Sequence, residues 1–211
     1  MKKSVDQNLE IEVKFFLNDE QMVRNKIITQ GGVSKGRNFE TNVRYEDRMH
    51  SLWARRSLLR LRKDDQVRLT VKQNSAQQSS DFKILQELEV TVDDFDTMDK
   101  ILVALGFHKD QIYEKWRETI TFKDVILCLD TLPFGKFLEI EGQKKKIRAA
   151  ACILGLDWNR RILSNYLEIF YFIKHKKGLK FNDITFKNFE NNAIQFQQYI
   201  HIFEAHTKKN P

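Results

Sequence analysis

The sequence predicts an α+β fold built on eight antiparallel strands with flanking helices. Three observations carry this. Residues 9–15 alternate strictly between apolar and charged side chains, the two-residue period of a strand with one covered face. Similar alternation returns at 39–45, 58–63, 66–73, 85–92, 112–122, 125–132 and 136–141. Only two of the gaps between these stretches have a helical pattern, which favours antiparallel neighbours over a parallel array.

Taken in order, the first strand puts Leu9, Ile11, Val13 and Phe15 on one face and Glu10, Glu12 and Lys14 on the other. Asn18 or Asp19 can cap a helix to about residue 29, with Met22, Val23 and Ile27 as its apolar stripe and Gly31-Gly32 as its stop. After the strand at 39–45, residues to about 57 read as a loop or short helix. The strands at 58–63 and 66–73 form a hairpin across Asp64-Asp65, with Arg60 and Arg62 on one face of the first and Arg68, Thr70 and Lys72 on one face of the second. A Gln/Ser-rich loop at 74–81 leads to the strand bearing Glu87 and Glu89. Asp93 or Asp94 caps a helix to about 105, closed by Gly106. Three more strands carry Lys115 and Arg117, then Asp130, then Glu139 and Glu141, with Pro133 and Gly135 at the last turn. Helical segments are expected at 145–154, 159–173 and 188–205, the first two packed on the sheet and the third either a separate cap or a partner surface. The domain expectation is one unit over 1–177 and a basic, helical extension over 178–211.

At 211 residues and 41% hydrophobic content, the chain can bury one sizeable core. Two prolines, eight glycines and no internal repeat argue against low-complexity and repeat classes. The formal net charge is +7, and seven lysines from Lys174 onward face only Asp183, Glu190 and Glu204. A basic balance suits an anionic ligand or nucleic acid, of which nucleic acid is not expected here. Cys128 and Cys152 form no CxxC pair, and the histidines at 50, 108, 175, 201 and 206 lack zinc spacing, so no His/Cys metal site is expected. No apolar run follows Met1-Lys2-Lys3, and no stretch reaches the ~18 apolar residues of a membrane span. These features predict a soluble, cytoplasmic protein with reduced thiols and no membrane partner.

The polar strand faces collect seven acids (Glu10, Glu12, Glu87, Glu89, Asp130, Glu139, Glu141) and seven bases (Lys14, Arg60, Arg62, Arg68, Lys72, Lys115, Arg117). Two arrangements fit them: a sheet face open to water, or strands closed into a barrel whose lumen is charged. In a lumen the charges must pair or bind ions. Converging bases suit a polyphosphate, and hard carboxylate oxygens suit Mg²⁺ or Mn²⁺.

Glu10-Ile11-Glu12-Val13-Lys14 resembles the ExExK signature of the CYTH superfamily, the triphosphate tunnel metalloenzymes. It is joined in order by Leu59-Arg60-Leu61-Arg62, Lys72, Glu87-Leu88-Glu89, Lys115-Trp116-Arg117, Leu129-Asp130 and Phe137-Leu138-Glu139-Ile140-Glu141. Gly155-Leu156-Asp157-Trp158 and Ser164-Asn165-Tyr166-Leu167-Glu168 resemble the class IV adenylate cyclase branch. The likeness spans roughly residues 9–175.

The resemblance implies an eight-stranded closed antiparallel β-barrel, a linear triphosphate inside it, and one or two divalent cations, Mg²⁺ or Mn²⁺. It implies Glu10, Glu12 and Glu139 as metal ligands, with Asp130 and Glu141 as further acids of that set. Lys14, Arg60, Arg62, Lys72, Lys115 and Arg117 would hold the triphosphate, Lys72 and Lys115 being catalytic as well. Glu87 and Glu89 would orient these bases, Arg68 belongs to the signature less firmly, and Tyr45 is a candidate for orienting water. Cys128 is read as packing, and Trp116 and Phe137 as core or mouth residues.

Three functions fit. They are a cyclase converting ATP to cyclic AMP and pyrophosphate, a phosphohydrolase of inorganic, thiamine or nucleoside triphosphate, and a non-catalytic polyphosphate-binding module. The complete acidic set favours an enzyme, with the cyclase ahead. The expected partner is therefore a nucleoside triphosphate or inorganic triphosphate, and the candidate assembly is a homodimer.

Overall fold

The computed structural model describes residues 8–205, so Met1 to Lys3, His206 and the last residues of the expected extension lie outside the described residues. Eight strands close into a barrel: β1 (Leu9–Phe16), β2 (Val33–Asp47), β3 (Leu58–Lys63), β4 (Val67–Asn74), β5 (Lys83–Val92), β6 (Phe107–Phe122), β7 (Val125–Leu132) and β8 (Gly135–Gly142). Their order around the wall is β1-β5-β4-β3-β2-β6-β7-β8, with every neighbouring pair antiparallel. Closure leaves no sheet edge and turns the charged face of each strand inward.

The apolar faces point outward and are largely covered by helices, while Leu88 and Val90 of β5 stay about half exposed. α1 (Glu20–Thr29) starts at Asp19, whose carboxylate accepts from Met22 N at 2.9 Å. It buries Ile27 against Ile120 and Phe122. α4 (Lys144–Ile153) buries Ile147, Ala150 and Ala151 against the same cluster, which takes in Val13, Phe15, Leu127, Leu138 and Ile140. Fully burying one such aliphatic side chain stabilises by roughly 1.5–3 kcal/mol. α3 (Phe95–Ala104), capped by Asp94, packs Leu102 on Val43, Tyr45, Leu59 and Leu61. A single helical turn, α2 (Ser51–Ala54), lies between β2 and β3.

The third cluster closes one end of the barrel. α5 (Tyr166–Lys177) begins with a capping box between Asn165 and Glu168 and ends at Gly178, which takes the left-handed φ of 65°. With α6 (Phe186–Phe189) and α7 (Ile200–Phe203), it brings Tyr166, Phe170, Phe189, Phe196 and Ile200 onto Phe134 and Phe137. Phe137 shares its strand face with Glu139 and Glu141, so the lumen ends in an aromatic seal of Phe16, Phe137, Tyr166 and Phe196.

Several boundaries depart from the sequence reading. β2 starts at Val33 and β6 at Phe107, because the two pair over their length across a bulge that interrupts the alternation. The helix expected at 159–173 is a short 3-10 turn, Trp158–Arg160, followed by an extended link and α5. Ile162 makes a bridge to Lys14, and Asn165 caps a new start. The long helix expected at 188–205 is broken into short pieces, which bring Phe189, Phe196 and Ile200 into one apolar cluster. No helix among the described residues is long and apolar enough to cross a membrane.

Candidate functional site

Strand alternation alone places the lumen side chains. On β1, Val13 and Phe15 go to the outer core while Glu10, Glu12 and Lys14 face in. The same parity brings in Arg60 and Arg62 from β3, Lys72 from β4, Glu87 and Glu89 from β5, and Lys115 and Arg117 from β6. Asp130 comes from β7, and Glu139 and Glu141 from β8. All eleven residues expected to bind triphosphate or metal therefore meet inside one barrel.

They pair across strands. Lys72 Nζ bonds Glu10 at 2.6 and 2.7 Å and reaches Glu87 at 3.2 Å. Lys14 Nζ lies 2.7 Å from Glu12 and 3.1 Å from Glu139. Arg117 grips Asp130 with two nitrogens, at 2.7 and 2.6 Å, and also donates to Glu139. Lys115 Nζ donates to Asp130 at 2.9 Å. Arg60 lies 3.8 Å from Glu87 and 3.6 Å from Glu89, and Arg68 contacts Asp64 at 2.7 Å near the more exposed mouth.

Exposure grades along the lumen. Lys14, Lys115 and Asp130 are 1–3% exposed beside the seal, whereas the side chains of Arg68, Glu87 and Glu89 are 21%, 22% and 33% exposed. The tunnel thus has a deep end of paired acids and bases and a more exposed, charged mouth.

Several lumen residues were not anticipated. Glu40, on β2, is 2% exposed and sits 3.5 Å from Lys115, 3.7 Å from Arg62 and 3.8 Å from Arg117. Lys83 donates to Glu12 at 2.7 Å. The Tyr113 hydroxyl accepts from Arg60 at 3.3 Å, and the Tyr166 hydroxyl donates to Asp130 at 2.9 Å. The ammonium groups of Lys14 and Lys115 stand 5.2 and 5.5 Å from the Tyr166 ring centre, within cation–π range. The parity of Glu40, Asn42 and Arg44 was the available signal for β2. Nothing local in the sequence marks Tyr166 as a lumen residue.

Other candidates lie elsewhere. Tyr45 is fully buried on the outer face, its hydroxyl 2.6 Å from Asp99 Oδ1, so it does not orient water in the tunnel. Trp116 also points outward, 41% exposed and edge-on to Phe39, while Phe137 belongs to the seal.

The charges hold one another in unusual states. Burial favours protonating Glu12, but Lys14 and Lys83 outweigh it and hold the carboxyl far below its usual range. Burial likewise opposes ionisation of Glu139, and Lys14 and Arg117 overcome it. Glu141 differs: burial, together with Glu139, Glu10 and Glu12, pushes it up to about 7 against the pull of Arg117. Glu10 also rises, from burial first and the Glu12 charge second, with Lys72 opposing.

Carboxylate oxygens of Glu10, Glu12 and Glu141 lie within 4.8 Å of one another. Three hard oxygens at that spacing, with Glu141 in no ion pair among the described residues, fit a hard divalent cation. Glu139 lies instead with Glu141 and Cys128, and Asp130 is held by Lys115, Arg117 and Tyr166. The bases leave donors unused. The buried Nε of Arg60 and of Arg62 makes no hydrogen bond among the described residues. An unmet guanidinium donor in a buried site is a cost that an anion would relieve.

Comparison with known proteins bears on this architecture. No curated protein matches the chain significantly. Among solved structures, a candidate adenylate cyclase from Vibrio parahaemolyticus superposes with a TM-score of 0.70 at 19% identity, over 78% of this chain and 98% of that one. A protein from Pyrococcus horikoshii gives 0.64 at 26% identity, over 75% and 98%. A candidate adenylyl cyclase from Hippeastrum, described as having a dominant triphosphatase activity, gives 0.58 at 15% identity, over 82% and 96%. The CYTH domain model matches residues 8–155, which spans β1 through α4 and so every charged wall of the tunnel. By that match, the chain belongs to the CYTH domain family.

Proposed function

We propose that this chain is a divalent-metal-dependent enzyme that hydrolyses a linear triphosphate held in its tunnel. The observation that carries the reading is the convergence of six bases and the Glu10–Glu12–Glu141 cluster inside a barrel sealed at one end. A phosphate chain entering such a tunnel goes in end first. Its terminal group would lie among Lys14, Arg60 and Lys115, with Lys72, Arg62 and Arg117 along the rest of the chain.

Binding is an exchange of partners. Phosphate oxygens take Lys72 from Glu10 and Lys14 from Glu12, and the freed carboxylates become available to a cation. A bound Mg²⁺ or Mn²⁺ would neutralise charge on the phosphate oxygens during transfer. Glu10, Glu12 and Glu141 would hold it, with Glu139 and Asp130 keeping Lys14, Lys115 and Arg117 in place. Lys115 serves as a catalytic group at the terminal phosphate, and Lys72 at the phosphates that follow it. Hydrolysis asks only that the phosphate chain be fixed and a water reach it, with no nucleoside seat needed at the mouth.

The second reading is cyclisation of ATP. The likeness of residues 155–168 to the cyclase branch and the name of the Vibrio parahaemolyticus neighbour favour it. It requires a nucleoside seated at the mouth with its 3′-hydroxyl aimed at the α-phosphorus.

Incubation with tripolyphosphate or ATP and Mg²⁺ or Mn²⁺, followed by chromatography, separates the two readings. Orthophosphate with pyrophosphate or ADP supports hydrolysis, and cyclic AMP with pyrophosphate supports cyclisation. No product from either substrate in either metal overturns both.

A further inference from the structure

A thiol faces the lumen beside the carboxylates. Cys128 stands opposite Glu139 in the β7–β8 register, and Glu141 follows two residues later on the same face. The sulfur of Cys128 and oxygens of Glu139 and Glu141 lie within 4.8 Å of one another. Cys128 is 3% exposed and outside any disulfide, and its thiol makes no hydrogen bond among the described residues. Its chain neighbours Leu127 and Leu129 belong to the apolar core under the helices, but Cys128 belongs to none of the three apolar clusters. Its sulfur is buried and has two carboxylates for neighbours.

We propose that Cys128, Glu139 and Glu141 form a site for one thiophilic divalent cation, of the class of Zn²⁺ or Cd²⁺, and that occupancy excludes the hard metal and triphosphate from the tunnel. Thiolate sulfur selects soft and borderline cations, whereas Mg²⁺ and Mn²⁺ prefer the all-oxygen set of Glu10, Glu12 and Glu141. Metal–ligand lengths of about 2.0–2.3 Å put tetrahedral ligand atoms about 3.5 Å apart, so the three atoms need close in by no more than roughly 1 Å. Glu141 is free to move, since no hydrogen bond or ion pair holds it among the described residues. Glu139 keeps one oxygen on Arg117 or Lys14 and gives up the other. As the sulfur–metal bond forms, the S–H proton leaves to solvent, and a water completes the tetrahedron. The exclusion follows because Glu141 belongs to both sets, and that part rests on the proposed function.

The test uses the full chain, reduced and stripped of metal, titrated with Cd²⁺ while the ultraviolet thiolate-to-cadmium band is followed. The exposed thiol of Cys152 is removed in a Cys152→Ser background. The band should grow to saturation at one equivalent in that background and vanish in Cys128→Ser/Cys152→Ser, with Cys128→Ala/Cys152→Ser as a second variant checked for folding by circular dichroism. No band in the Cys152→Ser protein, or a band that survives loss of Cys128, overturns the site. With free Cd²⁺ fixed by a metal-ion buffer, adding Mg²⁺ and tripolyphosphate should then lower the band. A band unchanged by that addition overturns the exclusion and counts against the triphosphate reading, while leaving the thiolate site in place.

Discussion

Replacing Glu141 by glutamine should stabilise the metal-free protein at pH 8 and change little at pH 4. The Glu141 carboxyl is buried among Glu139, Glu10 and Glu12 and pushed up to about 7 from an ordinary 4.5. The folded chain therefore holds this proton more tightly than the unfolded chain does. The stability it contributes is complete below pH ~4.5 and is lost as pH rises through ~7. At 1.36 kcal/mol per pKa unit, that loss is about 3 kcal/mol. Glutamine carries no charge to lose. Urea unfolding in chelator should give near-equal stabilities at pH 4 and a gain of about 3 kcal/mol for Glu141→Gln at pH 8, or about 6–12 °C in Tm for a chain of this size. The depressed carboxyls of Glu12 and Glu139 act at lower pH and are common to both proteins. A variant no more stable than the parent at pH 8 would refute the claim that Glu141 stands ionised among like charges.

Three further outcomes follow from the same contacts. Arg60→Ala and Arg62→Ala should each weaken tripolyphosphate binding about 10–100-fold by calorimetry in chelator, the loss of one charge-assisted bond of about 1.5–3 kcal/mol. Phe137→Ala should cost about 3–5 kcal/mol in urea unfolding, because it removes the ring shared by Phe16, Phe134, Tyr166 and Phe196. Tyr45→Phe should lose about 1–2 kcal/mol of stability through the Asp99 bond yet leave turnover unchanged, since that hydroxyl is outside the lumen.

The barrel wall was legible because its code is local. Alternation on β1, β3 and β7 assigns Glu10, Arg60 and Asp130 to one face without knowledge of neighbours. Closure was not legible from alternation alone, as a solvated sheet face has the same period; the motif resemblance separated the two arrangements. Glu40 was missed although the alternation of 39–45 already sets it on one face with Asn42 and Arg44, because the motif resemblance contains no residue of β2; the bulge between Ser34 and Arg37 hid only the start of that strand. The seal was missed for a different reason. Phe189, Phe196 and Ile200 are spaced by seven and four residues, the period of one helix face, so the segment reads as a continuous helix in sequence, whereas in the fold it runs as short pieces whose rings meet Phe134 and Phe137. The packing reading of Cys128 agrees with its burial, and its strand parity with Asp130 adds the lumen side of its position.

The most direct test is a crystal structure grown with tripolyphosphate and Mn²⁺, with data collected at the manganese absorption edge. An anomalous peak is expected between Glu10, Glu12 and Glu141, and a phosphate chain among Lys14, Arg60, Arg62, Lys72, Lys115 and Arg117 with the Lys72–Glu10 and Lys14–Glu12 pairs broken. Phosphate found instead in the outer groove of about 470 Å³ between Arg24, Arg37 and Lys136, with every lumen ion pair intact, would contradict it.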